Sequence, residues 1–303
     1  PSAMRVLLLG KNGQVGWELQ RSLAPIAEVV ALDRHDTSHC GDLGNLEGLR
    51  ATLRAVAPDV IVNAAAHTAV DKAESEFDFA CKINARAPEV MAEEAKRLNA
   101  LLVHYSTDYV FDGTGSNSWK ESDNTAPLNA YGKSKLLGEQ AILASECQHL
   151  IFRTCWVYAT RGNNFAKTML KLARSRETLS IVADQYGAPT GAELIADVTA
   201  HALVQAQANP QKQGLYHLAA TGITSWMEYA QHVFTVARNL GDTLKLAENC
   251  VSSIPGSDYP LPAKRPSNSR LSTQKLQATF HLRLPAWQSG VERMVKELVE
   301  KPL

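Results

Sequence analysis

The feature of the sequence that most constrains its fold is a glycine-spaced turn near the amino terminus. Residues 4–10 form an apolar run without polar alternation, which is typical of a strand buried on both faces. Gly10, Gly13 and Gly16 follow at regular spacing, and a helical pattern begins at Trp17. In such a turn the first glycine permits a tight bend, the second lets the backbone approach a pyrophosphate, and the third lets the helix pack on the strand. The turn therefore predicts a dinucleotide site, although its spacing is G-x-x-G-x-x-G and not the commoner G-x-G-x-x-G.

Beyond the turn, short apolar runs alternate with helical patterns. The further runs lie at 28–32, 59–62, 100–106, 150–154 and 179–182. Six strands separated by helices predict an α/β fold with a Rossmann-type, doubly wound parallel sheet. After Gly191 the alternation loosens, and a proline-rich loop at 255–268 follows further helices.

This organisation predicts two lobes. We expect residues 4–160 to form mainly the NAD(P)-binding domain, with its sheet completed by roughly 163–190. Residues 191–303 are expected to form mainly a smaller C-terminal α/β lobe that binds substrate. Some chain is expected to cross between the two lobes.

Composition narrows the class of function. The 303 residues have a formal net charge of zero and no basic block, which argues against nucleic acid or a membrane surface as a partner. The five cysteines are scattered, without a zinc or disulfide pattern, and favour a reducing, cytoplasmic location. We find no signal peptide and no apolar run long enough for a bilayer, and we expect Pro1-Ser2-Ala3 to be a cloning remnant outside the fold.

A tyrosine and a lysine provide the first candidate for chemistry. Tyr131 and Lys135 are four residues apart in a helical pattern, so both side chains point to one face. A nearby ammonium favours the phenolate, and we expect it to lower the tyrosine pKa from its usual ~10. The pair is a candidate proton donor, but Y-x-x-x-K also occurs by chance in unrelated chains.

Other candidates lie where predicted strands end, which is where ligands gather in an open α/β sheet. Asp33 suits the ribose hydroxyls of NAD(H), whereas the adjacent Arg34 suits the 2′-phosphate of NADP(H), so the cofactor preference stays open. The Thr107 hydroxyl is placed to hydrogen-bond a substrate carbonyl. Trp156 is a candidate wall for a sugar or nicotinamide, and Arg265 is a candidate bidentate ligand of a diphosphate. Each also suits an ordinary structural role.

Together these residues resemble the extended short-chain dehydrogenase/reductases. Longer segments are similar to the dTDP-4-dehydrorhamnose reductase family in particular, and the likeness covers essentially the whole chain from Met4. The segments are residues 10–16, 63–71, 105–111, 131–135, 185–191 and 265–269.

The resemblance implies reduction of the C4 ketone of dTDP-4-dehydro-6-deoxy-L-mannose by NADPH or NADH, the last step in making dTDP-L-rhamnose for cell-surface polysaccharides such as lipopolysaccharide O-antigen. It implies Tyr131, Lys135 and Thr107 as catalytic residues, and Thr107, Asp108, Trp156 and Arg265 at the substrate. The cofactor residues that it implies are Gly10, Asn12, Gly13, Gln14, Val15, Asp33, Asp42, Leu43, Ala65, Ala66, His67, Thr68, Tyr131 and Lys135.

The resemblance also implies a homodimer, with a structural Mg²⁺ at the contact in some members. By position, Glu18, Glu193 and Glu297 are the matching carboxylates. Two alternatives stay open: a related nucleotide-sugar reductase, epimerase or dehydratase, and a non-catalytic regulatory subunit. Dehydratases of this superfamily carry an Asp-Glu pair after the strand-four threonine, and here Asp108 is followed by Tyr109.

Overall fold

The computed structural model describes residues 3–300, so Pro1, Ser2 and residues 301–303 lie outside the described part of the chain. The strands are β1 (Arg5–Leu9), β2 (Glu28–Leu32), β3 (Val60–Asn63), β4 (Leu101–Thr107), β5 (Gln148–Thr154), β6 (Val157–Tyr158), β7 (Leu179–Val182), β8 (Tyr186–Gly187), β9 (Thr190–Gly191), β10 (Gly214–His217), β11 (Thr224–Ser225) and β12 (Val251–Ile254). The α-helices are α1 (Gln14–Leu23), α2 (Leu46–Val56), α3 (Val70–Ala73), α4 (Phe77–Cys81), α5 (Ala87–Leu98), α6 (Ala130–Ser145), α7 (Phe165–Ser175), α8 (Ala192–Ala208), α9 (Trp226–Asn239), α10 (Gln274–Phe280) and α11 (Trp287–Glu300).

A six-stranded sheet with the order β10-β5-β4-β3-β1-β2 organises the molecule. Every neighbouring pair in it is parallel, which confirms the predicted doubly wound α/β fold. The chain leaves β1 towards one edge to form β2 and then returns to form β3 on the other side. The carboxyl ends of β1 and β3 therefore flank the crevice in which such sheets bind ligands.

The sixth strand of this sheet is β10 and not the predicted strand at 179–182. That segment is β7, which pairs in parallel with β12 in a separate two-stranded sheet. Ser180 in β7 is exposed, so β7 lacks the two buried faces that a central strand needs, whereas Tyr216 and His217 in β10 are fully buried. The prediction that 163–190 completes the sheet is therefore wrong.

The lobes are consequently more interleaved than the sequence indicates. Helix α8, expected in the second lobe, packs on α1 and contributes Ile195, Leu203 and other side chains to the core on one face of the large sheet. Helices α2 and α5 cover the other face. The core of the second lobe combines α7, β7, α9 and α11. Residues 192–217 thus belong with the first lobe and 165–182 with the second.

The helical region that follows β3 is interrupted. A π-helical turn spans Lys82–Arg86 between α4 and α5. Within it, the Asn84 side chain accepts a hydrogen bond from His67 N (2.8 Å) and donates one to His67 O (3.0 Å). A Cβ on Gly138 of α6 would lie 2.2 Å from Asn84 O, so only glycine permits this close approach. Single π turns of this kind often mark functional sites.

A buried carboxylate joins α2 to α5. Glu94 accepts hydrogen bonds from Arg50 (3.0 Å), Arg54 (3.1 Å) and Arg97 (2.9 Å). Burial alone would raise the pKa of Glu94, but the three guanidinium groups outweigh it and hold the pKa at about 2, against an ordinary 4.5. This depressed pKa means that the interaction stabilises the fold above about pH 4.5 and is lost as the pH falls towards 2.

We expect Glu94→Gln to lower the free energy of unfolding at neutral pH by roughly 1.5–3 kcal/mol, the range for hydrogen bonds to charged groups. The difference from wild type should disappear near pH 2 in urea titrations. Glu93→Gln is the matched control, because Glu93 is half-exposed and pairs only with Arg50, so its loss should cost less than about 1 kcal/mol. Equal losses for the two variants would contradict the assignment.

Candidate active site

The glycine turn closes the carboxyl end of β1 as predicted. Gly10 has φ +83°, and a Cβ there would lie 2.7 Å from the carbonyl carbon of Ala64, so the turn packs directly against the end of β3. A Cβ on Gly16 would lie 1.8 Å from Gly10 O, which accounts for the third glycine. Gly13 has only Gly10 O nearby, at 3.6 Å. A side chain at position 13 would therefore fit within the protein itself. A ligand lying on the turn would leave room only for glycine there.

The predicted ribose-binding residue is held beside this turn. The Asp33 carboxylate accepts hydrogen bonds from the Asn12 side chain and from His35 N (2.8 Å). The Asp42 carboxylate accepts from Gly44 N (2.8 Å), and Leu43 is buried in the core under α2. The structure thus brings Asn12 and Asp33 together, and it places the Leu43 side chain in the protein interior.

Small residues border the crevice at the end of β3. Ala65 and Ala66 are partly exposed, Thr68 is exposed, and Ala65 N donates to the Asn63 side chain (3.2 Å). The His67 backbone is fixed by Asn84, but the His67 Nδ1 atom is buried without a hydrogen-bond partner among residues 3–300. The predicted group from Ala65 to Thr68 therefore follows the carboxyl end of β3, next to the glycine turn, and is partly open to solvent.

Three oxygen-bearing side chains converge at the end of β4. Thr107 lies within hydrogen-bond distance of Asp108 (3.5 Å), and its hydroxyl also lies close to the Tyr131 phenol. Burial raises the pKa of Asp108 to about 7, although interactions with Ser269 and Thr107 lower it in part. One oxygen of Asp108, Oδ2, is buried without a partner in the described part of the chain. A polar ligand entering here would find a hydroxyl, a phenol and an unsatisfied carboxyl oxygen together.

The tyrosine and lysine lie on one face of α6, as their spacing predicts. Asn129 caps this helix by accepting from Gly132 N (2.8 Å), and Lys135 Nζ donates to Tyr105 O on β4 (2.7 Å). The predicted effect on the tyrosine pKa is wrong in direction. Burial raises the pKa of Tyr131 above its ordinary value, Asp108 raises it further, and only the hydrogen bond with Thr107 opposes this.

Burial shifts the pKa of Lys135 in the opposite direction. It lowers the pKa of Lys135 to about 8, although the negative charge of Glu139 opposes the shift. At neutral pH the site therefore holds a protonated phenol beside an ammonium that is close to its own pKa. That combination suits a proton donor whose phenolate product would be stabilised by the lysine.

Trp156 stands where the first lobe meets the second. Its backbone has φ +48°, a left-handed conformation that is unusual for a bulky residue. The indole stacks on Trp226 at 3.6 Å between ring centroids, and a Cβ on Gly187 would lie 2.8 Å from it. The tryptophan is thus fixed on both sides and leaves little freedom for rearrangement.

Arg265 belongs to a segment, residues 263–270, that crosses back over the first lobe. Its guanidinium donates to both carboxylate oxygens of Asp71 (2.8 and 3.1 Å) and to Ala263 O (3.0 Å). The hydrogen bond from Arg265 holds the pKa of Asp71 below its ordinary value. Arginine has five N–H donors, so two remain after these three bonds, and the predicted diphosphate ligand is partly engaged by Asp71.

Comparison with known proteins identifies the family. The family model of the RmlD substrate binding domain matches residues 4–300. The dTDP-4-dehydrorhamnose reductase of Salmonella typhimurium is 58% identical over 295 residues, covering 97% of this chain and 98% of that enzyme. The chain belongs to the RmlD family.

Solved structures agree with this assignment. A dTDP-4-dehydrorhamnose reductase of Clostridium acetobutylicum, 34% identical, superimposes with a TM-score of 0.87 over 97% of this chain and 99% of that one. The enzyme of the same name from Bacillus anthracis, solved in complex with NADP, is 33% identical, with a TM-score of 0.86 over 98% and 100% of the two chains.

The three carboxylates implied for metal binding in this RmlD-family chain line one cavity of about 710 Å³. Arg293 approaches Glu193 (3.6 Å) and Glu297 (3.9 Å), and Arg21 pairs with Glu18 (3.2 Å). Within residues 3–300 no group of three His, Cys, Asp or Glu side chains is arranged to hold a metal ion. The single chain therefore does not fit the predicted Mg²⁺ site, because arginines already neutralise these carboxylates. In the same range, none of the helices has the length and apolar character needed to span a membrane.

Sequence reasoning missed several residues that shape the site. No local pattern marks Asn84, because its partner His67 is 17 positions away. The pairing of Asp71 with Arg265 joins residues 194 positions apart, which no local pattern indicates. Glu139 lies four residues after Lys135, and this repeated helical spacing was the one available signal.

Proposed function

We propose that the protein reduces the C4 ketone of dTDP-4-dehydro-L-rhamnose to dTDP-L-rhamnose with NADPH or NADH. The observation that carries this proposal is the convergence of Thr107, Tyr131 and Lys135 at the carboxyl edge of the sheet, beside a glycine turn in which Gly13 has no close neighbour in the protein. The high identity to enzymes named for this reaction supports the choice of substrate.

The residues divide the reaction between them. When bound, the reduced nicotinamide supplies the hydride that adds to C4 of the sugar. Thr107 donates a hydrogen bond to the ketone oxygen, and Tyr131 transfers its phenolic proton to that oxygen as negative charge develops there. The raised pKa of Tyr131 keeps the phenol protonated until a strongly basic alkoxide forms. Lys135 then stabilises the phenolate.

We assign the cofactor to the crevice between the glycine turn and β3. Gly10, Gly13, Gln14 and Val15 would hold the pyrophosphate at the start of α1. Asn12 and Asp33, already hydrogen-bonded, would face the adenosine ribose, and Asp42 with the backbone of Leu43 would face the adenine. Ala65 to Thr68 would flank the nicotinamide half, and Lys135 its ribose. The glycine at position 13 and the approach of Gly10 to the end of β3 support this placement.

We assign the sugar to the space between Thr107, Asp108 and Trp156. The unpartnered Asp108 Oδ2 would accept a hydrogen bond from a sugar hydroxyl, because a buried acceptor without a partner is costly. Trp156, held by Trp226, would form a rigid wall against the sugar. The two remaining N–H donors of Arg265 would bind the diphosphate.

The direct test is purified protein with the 4-keto nucleotide sugar and NADPH or NADH in parallel, followed by loss of reduced-nicotinamide absorbance. We expect turnover and dTDP-L-rhamnose as the product. Elimination or epimerisation without net cofactor consumption would indicate a related enzyme. The absence of any turnover with both cofactors would favour a regulatory subunit.

Arg265→Ala is expected to raise KM for the nucleotide sugar about tenfold or more, because losing a charge-assisted hydrogen bond weakens binding by about this factor. KM for NADPH should not change. Asp71→Asn is the informative companion, because it breaks the same ion pair but keeps the cation. Its sugar KM should stay near wild type. Equal increases for the two variants would mean that Arg265 only fastens the 263–270 segment.

We also propose a homodimer in a reducing, cytoplasmic setting. The face bearing Glu18, Glu193 and Glu297 is the candidate contact. Burial, followed by the charge of Glu18, raises the pKa of Glu193, and Arg293 offsets only part of this shift. A Mg²⁺ ion there would require further carboxylates from a second copy. Sedimentation with and without a chelator tests both the dimer and the metal. A dimer that persists in the chelator would support the contact and exclude the metal.

A further inference from the structure

A third side chain continues the Tyr131 and Lys135 face of α6. Glu139 follows at the same four-residue spacing, so the phenol, the ammonium and this carboxylate lie along one side of the helix. Glu139 is only 1% exposed. A buried carboxylate is costly unless it is paired, so its partners decide what it does.

Two strands hold the Glu139 carboxylate in place. Arg153 on β5 donates from Nε (3.0 Å) and from a terminal nitrogen (2.7 Å), one to each carboxylate oxygen. Ser106 on β4 donates a further hydrogen bond. Ser106 and Arg153 lie opposite each other on β4 and β5, so two adjacent strands bind the carboxylate.

The same stretch of β4 also fixes the lysine. Tyr105 O accepts from Lys135 Nζ, and the next residue, Ser106, holds Glu139. Consecutive residues of β4 thus fix two side chains that are one helical turn apart on α6. This arrangement fixes the position of the ammonium as well as that of the carboxylate.

The charged and titratable groups around Lys135 come from three elements. On α6 they are Tyr131 and Glu139. On β4, His104 is neutral, because burial and then the charge of Lys135 lower its pKa far below the ordinary value, and Asp108 follows the end of the strand. On β5, Arg153 contributes a positive charge. Glu139 is the one group that opposes the effect of burial on the pKa of Lys135.

Arg153 is itself held away from the lysine. It hydrogen-bonds His217 Nε2 (3.3 Å), whose other ring nitrogen faces Trp119 O (3.0 Å), and it lies 5.0 Å from the Phe111 ring centroid. Burial lowers the pKa of His217 to about 3, so the ring is neutral and accepts from the guanidinium. The arginine therefore has its own partners on the side remote from α6.

We propose that Glu139 is a positioning residue that keeps the Lys135 ammonium charged and directed at the crevice. This inference rests on the proposed reductase function, in which Lys135 must be charged when Tyr131 gives up its proton. A buried ion pair that served only the fold would have no such link, and its loss would affect stability alone.

The test is the pH profile of kcat/KM for Glu139→Gln. Without the carboxylate, burial acts unopposed and the pKa of Lys135 falls below about 8. The ammonium is the active form, so the alkaline limb should move to lower pH by about one unit or more. Activity should be reduced about fivefold or more near pH 8 and approach wild type near pH 6. NADPH binding, measured by fluorescence, should lose affinity over the same shifted range.

Three further variants keep the test decisive. Glu94→Gln also removes a buried carboxylate from among arginines, but far from the site, and should leave the pH profile unchanged. Glu139→Gln/Arg153→Gln removes both charges, so it avoids an unpaired buried guanidinium and should show a smaller shift in the same direction. Glu139→Asp keeps the carboxylate, so its alkaline limb should lie between those of Glu139→Gln and wild type.

Folded Glu139→Gln and double variants with wild-type alkaline limbs would overturn the inference. The outcome is separable from failure of the proposed function. If wild type binds NADPH but does not reduce the ketone, the reductase assignment fails, and the pH dependence of NADPH binding still decides the role of Glu139.

Discussion

Replacing Tyr131 with Phe is expected to lower kcat for ketone reduction by about 10²–10⁴-fold, the usual contribution of general acid catalysis. The variant keeps the ring and its edge-on contact with Tyr109 at 5.8 Å, so the site should retain its shape. It loses only the proton that the new alkoxide needs. Affinity for NADPH should change little, because the phenol acts on the substrate. Steady-state kinetics and a binding titration measure the two quantities separately.

Tyr105→Phe provides the matched control. The Tyr105 hydroxyl is also buried, but it hydrogen-bonds Thr199 on the opposite face of the sheet (2.7 Å). Its removal should cost about 1 kcal/mol of stability and leave kcat unchanged. Near wild-type turnover by Tyr131→Phe would mean that another group, or water, supplies the proton.

Replacing Lys135 with Met should lower kcat/KM by roughly 10²–10³-fold, comparable with the loss of one preorganised electrostatic group. The change removes both the charge that would stabilise the Tyr131 phenolate and the donor proposed for the nicotinamide ribose. The NADPH dissociation constant should therefore rise together with the fall in kcat. Methionine fills a similar volume in the buried site, so we expect the fold to survive.

Lys133→Met separates this effect from a general loss of helix charge. Lys133 lies two residues away on the exposed side of α6. Its replacement should change neither kcat nor NADPH affinity. If Lys135→Met affected turnover but left NADPH binding intact, the lysine would act on the phenol alone and the ribose contact would be wrong.

The parts of the fold and site that the sequence predicted are those governed by short spacing. The glycine turn needs only residues 10–16, and the face shared by Tyr131 and Lys135 follows from helix geometry. The end of β4 beside them follows from the parallel sheet. For this reason the glycine turn, the face of α6 and the end of β4 could be predicted without coordinates, whereas the roles of their residues stay predictions.

The errors concern contacts between distant segments and the degree of burial. β7 and β10 are both short apolar runs, and only pairing with β12 or β5 distinguishes them. The direction of the Tyr131 pKa depends on how completely the site excludes water, which spacing does not express. The carboxylates at Glu193 and Glu297 could be located by position, but not their neutralisation by Arg293.

The 263–270 segment has a consequence for biosynthesis of the chain on the ribosome. Asn129 donates to Lys264 O (2.9 Å) and Arg265 fastens Asp71, so groups made early are completed by residues made late. A nascent chain halted before this point would hold the glycine turn and α6 but leave Asn129 and Asp71 without these partners. The lobe with the glycine turn can thus assemble during translation, whereas these contacts form only as roughly the last seventh of the polypeptide emerges.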